Sequence, residues 1–155
     1  MGVVFGQRSG LWWDLPLQES FDLHRHIYRV PPQRFRRRLA FCQDLLGVGE
    51  FQRFPVRQLS LGQRMRGEVA LALLHEPEVL FLDEPTIGLD VLVKDRIRSF
   101  LCAANRELGV TIVLTTHDLR DIEDVIRDLY VTLERSRPAE DDEIDTWTRS
   151  RAVIQ

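Results

Sequence analysis

Apolar residues in this chain fall into two regimes. Val3, Val4 and Phe5 form a short run that predicts a buried strand over residues 2–6. Pro16 then suits the opening of a helix over Leu17–Val30, which Pro31 and Pro32 end. Pro32 starts a second helix, in which Phe35, Leu39, Cys42 and Leu46 share one face and Gly47 serves as C-cap. Ser60 is a good N-cap for a third helix from Leu61 to about His75, stopped by Pro77. The second regime begins at Val79–Leu82, four apolar residues between two prolines, the pattern of a strand covered on both faces. Val93, Ile97, Phe100, Leu101 and Ala104 predict a helix over Val91–Leu108, ended by Gly109. Val110–Thr115 is a β-branched strand, His117-Asp118 opens a short helix to about Ile126, and Leu129–Leu133 reads as a last strand. Helices thus fill the first half and strand–helix alternation the second. The expected fold is α/β, a parallel sheet with an all-helical insertion after its first strand.

Composition narrows the picture modestly. A chain of 155 residues with 44% hydrophobic and 29% charged residues fits one globular domain. A net charge of −3 provides no general pull toward nucleic acid or anionic lipid, so no nucleic-acid partner is expected. Cys42 and Cys102 lack metal-type spacing, which fits a reducing compartment. No run of 18 apolar residues and no export signal are present in the chain. From Ser136 the composition turns acidic, with Glu140, Asp141, Asp142, Glu143 and Asp145 suggesting a mobile tail.

Candidate chemistry gathers at the ends of the predicted strands, where open α/β sheets bind ligands. Asp83 and Glu84 follow Val79–Leu82 directly, and a carboxylate pair there can hold a magnesium ion and polarise a water. Ser60 sits at a helix N-terminus, whose free N–H groups and dipole attract anions. His117 follows another strand end, 33 residues after Glu84. A phosphate loop requires Gly, four residues, then Gly-Lys-Ser/Thr. The chain's one lysine, Lys94, stands in Leu92-Val93-Lys94-Asp95, so no such loop occurs.

Two motifs carry a family resemblance. Val79-Leu80-Phe81-Leu82-Asp83-Glu84-Pro85 with Thr86-Ile87-Gly88-Leu89-Asp90 resembles the Walker B segment and D-loop of ATP-binding-cassette (ABC) ATPases. Leu59-Ser60-Leu61-Gly62-Gln63 resembles their signature motif, with leucine where glycine is commonest at position 61. Thr115-Thr116-His117-Asp118 is similar to the H-loop, and Gln7 to the Q-loop glutamine. The chain therefore looks like an ABC transporter ATP-binding subunit lacking its amino-terminal, Walker A part. Gly6-Gln7-Arg8 with Trp12-Trp13 resembles subunits of ABC-2 type exporters.

The resemblance implies an incomplete P-loop NTPase (RecA-like) parallel-sheet core with an inserted α-helical subdomain. It divides the chain into a first core strand and Q-loop (1–10), a helical subdomain with the signature (11–77), a core segment with Walker B, D-loop and H-loop (78–135), and the acidic tail (136–155). The implied cofactors are ATP and Mg2+. Asp83 and Gln7 would serve magnesium, Glu84 would be the general base and His117 would contact the γ-phosphate. Ser60, Gly62, Gln63 and Asp90 would meet ATP held by a second cassette. The implied partners are that second nucleotide-binding domain and a transmembrane permease subunit, which Trp12 and Trp13 would help dock unless they are core anchors. Such a subunit works in the cytoplasm, peripheral to the inner face of the membrane. Without a phosphate loop, negligible activity is expected of the isolated chain. The rival reading is a non-enzymatic module that lends its signature motif to a complete cassette or docks on a membrane subunit.

Overall fold

The structure, a computed structural model, describes residues 1–5 and 9–116, and the backbone of residues 152–154. Four strands form one parallel sheet in the order β1 (Gly2–Phe5), β2 (Val79–Asp83), β3 (Thr111–Thr115) and β4 (Ala152–Ile154). Helices α1 (Leu17–Ile27), α2 (Pro32–Leu46) and α3 (Leu61–Leu73) lie between β1 and β2, with two short 3₁₀ turns at Val48–Glu50 and Val56–Gln58. Helix α4 (Val91–Leu108) joins β2 to β3. Parallel neighbours need such crossovers, and buried residues of α3 and α4 join one core cluster with inward residues of β1, β2 and β3.

One face of the sheet holds the core. Val4, Leu80, Leu82, Ile112 and Leu114 alternate inward along the strands and join Leu73, Ile97, Phe100 and Leu17 in one buried cluster. On the opposite face Val3 and Phe5 are 36% and 45% exposed. Gly2 has no room for a side chain, since a β-carbon there would lie 2.4 Å from the Ala72 carbonyl oxygen. The first strand thus seats directly on α3.

The helical insertion ends where its caps dictate. Gly47 and Gly109 adopt φ +65° and +67° after α2 and α4, the left-handed turn that closes a helix most readily with glycine. Helix α1 stops three residues earlier than the expected Val30. Arg29 takes the left-handed place (φ 52°) that glycine usually fills, and the Val30 N–H reaches back to the Arg25 carbonyl at 2.9 Å. The turn buries Val30, which a continued helix ahead of two prolines could not do. Arg66 ties the insertion together: its Nη1 donates to the Leu46 carbonyl at 2.8 Å and its guanidinium covers the Phe51 ring at 4.8 Å. Along the first turns of α2, Arg34, Arg36 and Arg37 are exposed, and Arg34 and Arg38 both pair with Glu76.

Two expectations meet the end of the chain. The strand expected at Leu129–Leu133 and the helix to Ile126 lie outside the described residues. The segment 136–155, expected as a tail beyond the fold, contributes β4, whose Ala152, Val153 and Ile154 register with Ile112, Val113 and Leu114. Its alternating-free Ala-Val-Ile run is short and follows an acidic stretch, so local pattern alone does not mark it as a core strand.

Candidate functional site

The carboxyl ends of three strands stand level. Phe5, Asp83 and Thr115 are register partners across β1, β2 and β3. Asp83 is the last residue of β2, one beyond the expected strand end, and Glu84 begins the turn that follows. The Thr115 hydroxyl donates to Asp83 Oδ1 at 2.7 Å, which fixes the carboxylate at the sheet edge. The Glu84 N–H donates to the Thr115 carbonyl at 3.1 Å, extending the ladder by one bond. Glu84 then takes a left-handed conformation, φ 51°, unusual for a side chain of this kind and of the sort that collects at functional sites. Its carbonyl accepts from Ile87 N–H at 3.4 Å, closing a turn in which Pro85 and Thr86 are buried. Both acidic residues remain half-buried and so reach the solvent side of that edge.

Asp83 offers hard oxygen to a cation, and one carboxylate with water and substrate phosphates suits magnesium, which keeps much of its hydration. No group of three or more His, Cys, Asp or Glu placed to hold a metal occurs among the described residues. The donor set thus fits a hydrated magnesium ion shared with a ligand, not an all-protein metal cage. Gln7 and His117 lie outside the described residues; in sequence each stands two positions beyond a strand that ends at this edge, after Phe5 and Thr115.

A second group forms where α3 and α4 begin. Ser60 caps α3 through a reciprocal box: the Gln63 N–H donates to Ser60 Oγ at 3.1 Å, and Gln63 Oε1 accepts from the Ser60 N–H at 2.9 Å. Asp90 caps α4, its Oδ1 accepting from the Val93 N–H at 3.0 Å. The two helix starts touch. A β-carbon at Gly62 would meet Val93 Cγ2 at 3.0 Å, and one at Gly88 (φ +70°) would lie 3.5 Å from Leu61 Cδ2. Ser60, Gly62, Gln63 and Asp90 are therefore neighbours by way of α3 and α4, with Leu61, Ile87, Val91 and Leu92 exposed around them. The leucine at position 61 keeps α3 helical from its first turn and leaves the cap intact.

Trp12 and Trp13 are not core anchors: they are 54% and 51% exposed. Pro16 bridges Pro55, and the backbone N–H groups of Val56 and Arg57 donate to the carbonyls of Leu15 and Trp13 at 3.0 Å each. This builds an aromatic surface with Phe54, which is 52% exposed. Thr115 and the Gln63 half of the capping box were missed in the sequence. The Ser-x-x-Gln spacing could have revealed the second; the first depends on strand register.

The family described as "AAA domain, putative AbiEii toxin, Type IV TA system" matches residues 10–120. A methionine import ATP-binding protein, MetN of Geobacillus kaustophilus, is 34% identical over 145 residues, 93% of this chain and 42% of that protein. The chain belongs to the ATP-binding-cassette (ABC) ATPases. Among solved structures, cbiO1 from Clostridium perfringens, part of an ABC transporter complex, superposes with TM-score 0.67 at 30% identity, over 80% of this chain and 49% of that one. A dimeric bacterial ABC transporter cassette gives 0.66 at 31% identity, over 83% and 55%. The parallel α/β sheet is thus that of the P-loop NTPase fold seen in these cassettes. The chain spans 16–42% of the length of the curated relatives it matches. No described helix of this cassette chain is long and apolar enough to cross a membrane.

Proposed function

We propose that this chain serves as a portion, without the Walker A loop, of the ATP-hydrolysing subunit of an ABC exporter, working as one of a pair of cassettes beneath a membrane permease. The observation that carries the reading is the division of polar groups into two half-sites. One edge presents Asp83 and Glu84 beside Thr115, and the paired helix starts present Ser60 and Asp90. An ATP held by the phosphate loop of a second cassette would place its γ-phosphate at the N-terminus of α3, where the dipole and free N–H groups favour an anion. At the other half-site, an ATP brought by a phosphate loop that completes this chain's own cassette would meet Glu84, which would take the proton of the water that attacks the γ-phosphorus as the bond to ADP breaks, releasing ADP and phosphate, with His117 beside that phosphate. Magnesium, when bound at Asp83 with Gln7, would neutralise phosphate charge. Phosphoryl transfer is mostly positioning and charge stabilisation, and no backbone cradle for phosphate occurs in this sequence. Turnover by the chain alone is therefore negligible.

Trp12, Trp13 and Phe54 would meet the permease, since aromatic side chains anchor partner surfaces well. Export is preferred over import on Gly6-Gln7-Arg8 with Trp12-Trp13. Such a subunit would sit on the cytoplasmic side of the membrane.

Titration of the isolated chain with a fluorescent ATP analogue tests the reading. No micromolar binding is expected, and mixing with a phosphate-loop-bearing cassette should create ATP-dependent association and hydrolysis. Micromolar affinity of the chain alone would overturn it. Hydrolysis lost in Ser60→Ala but kept in Glu84→Gln would favour the non-enzymatic module instead.

A further inference from the structure

One stripe of α3 is given over to a single segment of chain. Arg64, Gly67, Glu68 and Leu71 recur at the spacing of one helical face, and each meets the stretch from Ser9 to Leu17. The Arg64 guanidinium lies 5.6 Å over the Trp13 ring. A β-carbon on Gly67 would come within 2.9 Å of Leu17 Cδ1 and 3.3 Å of Leu11 Cδ1, so the helix accepts that segment at close range. A β-carbon on Gly10 would stand 3.4 Å from Leu71 Cδ2.

Glu68 is the polar member of this stripe, and it is 7% exposed. Its Oε1 accepts from the Ser9 hydroxyl and its Oε2 from the Gly10 N–H at 3.1 Å. Ser9 Oγ in turn accepts from the Leu11 N–H at 3.1 Å, so three successive residues hang on one carboxylate. Burial pushes the Glu68 carboxyl up, while the bonds from Ser9 and Gly10 and the Arg64 charge hold it back. An apolar side chain of this size would avoid the cost of desolvating a carboxylate. What it could not do is order a loop by its N–H and O–H groups.

We infer that Glu68 is a positioning residue. It pins the chain from Ser9 to Leu11, which follows Gln7 in sequence, to the helix whose N-terminus carries Ser60. Eight residues of helix separate Ser60 from Glu68, about 12 Å of rigid backbone. Residues 9–11 and the signature-like cap are therefore held by one body, and the exposed Trp12–Trp13 surface is carried on the same segment. The consequence for hydrolysis rests on the function proposed above; the anchor itself does not.

Backbone amide exchange in the full chain tests it with two variants. In Glu68→Gln the amide can still accept from Gly10 and donate to Ser9, so protection of Gly10 and Leu11 should stay within about threefold of the parent. In Glu68→Met, of similar shape but apolar, those amides should exchange at least about tenfold faster, with Val79–Asp83 unchanged. Ser9→Ala removes the hydroxyl from the loop side without opening the core, and should raise Leu11 exchange even if Glu68→Met fails to fold. Parent-like protection in Glu68→Met or Ser9→Ala, or equal loss in Glu68→Gln and Glu68→Met, would overturn the anchor. In a complete cassette pair, Glu68→Met should lower kcat about tenfold with KM for ATP within about twofold, and Glu68→Gln should restore it. Absence of hydrolysis by the parent pair would strike the proposed function and leave the exchange result to decide the anchor.

Discussion

Substitution of Ser60 separates the structural use of the α3 N-terminus from its proposed use. Ser60→Ala deletes the oxygen that accepts from the Gln63 N–H at 3.1 Å and leaves only the Gln63 half of the box, at 2.9 Å. Loss of such a cap costs about 1 kcal/mol. In a chain of this size that lowers Tm by roughly 2–4 °C. Ser60→Asp keeps an acceptor and adds negative charge at the positive end of a 13-residue helix, a change worth about 0.3–1 kcal/mol in favour of the fold. The same carboxylate 4 Å from a unit of phosphate charge would cost about 1 kcal/mol in water and about 4 kcal/mol at an effective dielectric of 20. Stability from urea melts should therefore rank Asp at or above Ser, with Ala last. ATP-dependent association with a phosphate-loop-bearing cassette should rank Ser first, Ala second and Asp last. Equal destabilisation by Asp and Ala would refute capping as the role of Ser60. Parent-like association by Ser60→Asp would refute a phosphate at this helix.

Other consequences are checked as simply. Thr115→Val removes the hydroxyl that donates to Asp83 Oδ1 and should lower stability by about 1 kcal/mol in urea melts, while a complete cassette pair carrying it hydrolyses ATP more slowly. His24 Nε2 lies 3.1 Å from His75 Nδ1, and Tyr28 stacks on His75 with ring centroids 4.3 Å apart. Burial first, and the neighbouring His75 second, lower the His24 pKa to about 4 from 6.5. The folded state thus disfavours the imidazolium: its stability is complete above pH 6.5, falls as pH drops toward about 4 and levels off below, and His24→Gln should flatten that part of the profile. Cys42 is fully buried and its thiol is pushed up to about 12, so a thiol reagent at pH 8 should label half-buried Cys102 first and Cys42 only on unfolding. Parity of the two labelling rates would contradict that environment.

Much of the fold was legible because its signals are local. Helix starts at Pro32 and Ser60, and stops at Gly47 and Gly109, follow from which residue can open, satisfy or close a helix end by its own chemistry. Four apolar residues between prolines announced β2, and the inward stripe of α4 lies where its periodicity placed it. Boundaries slipped where a tertiary contact competed with a local one. Arg29 turned left-handed so that Val30 could enter the core, and Asp83 joined β2 because Thr115 of β3 registers opposite it. The exposed tryptophans defied their hydrophobicity because Pro16 and Pro55 hold that segment on the outside of the insertion.

The sequence by itself determined the order of elements through β3, the family, and the acidic pair at a strand end, since each rests on residues adjacent along the chain. Tertiary structure alone decided that Thr115 holds Asp83, that the starts of α3 and α4 touch, and that Glu68 grips a loop nearly sixty residues away. Those contacts join segments distant in the chain, and their partners are selected by strand register and helix packing, quantities that no local pattern of side chains specifies.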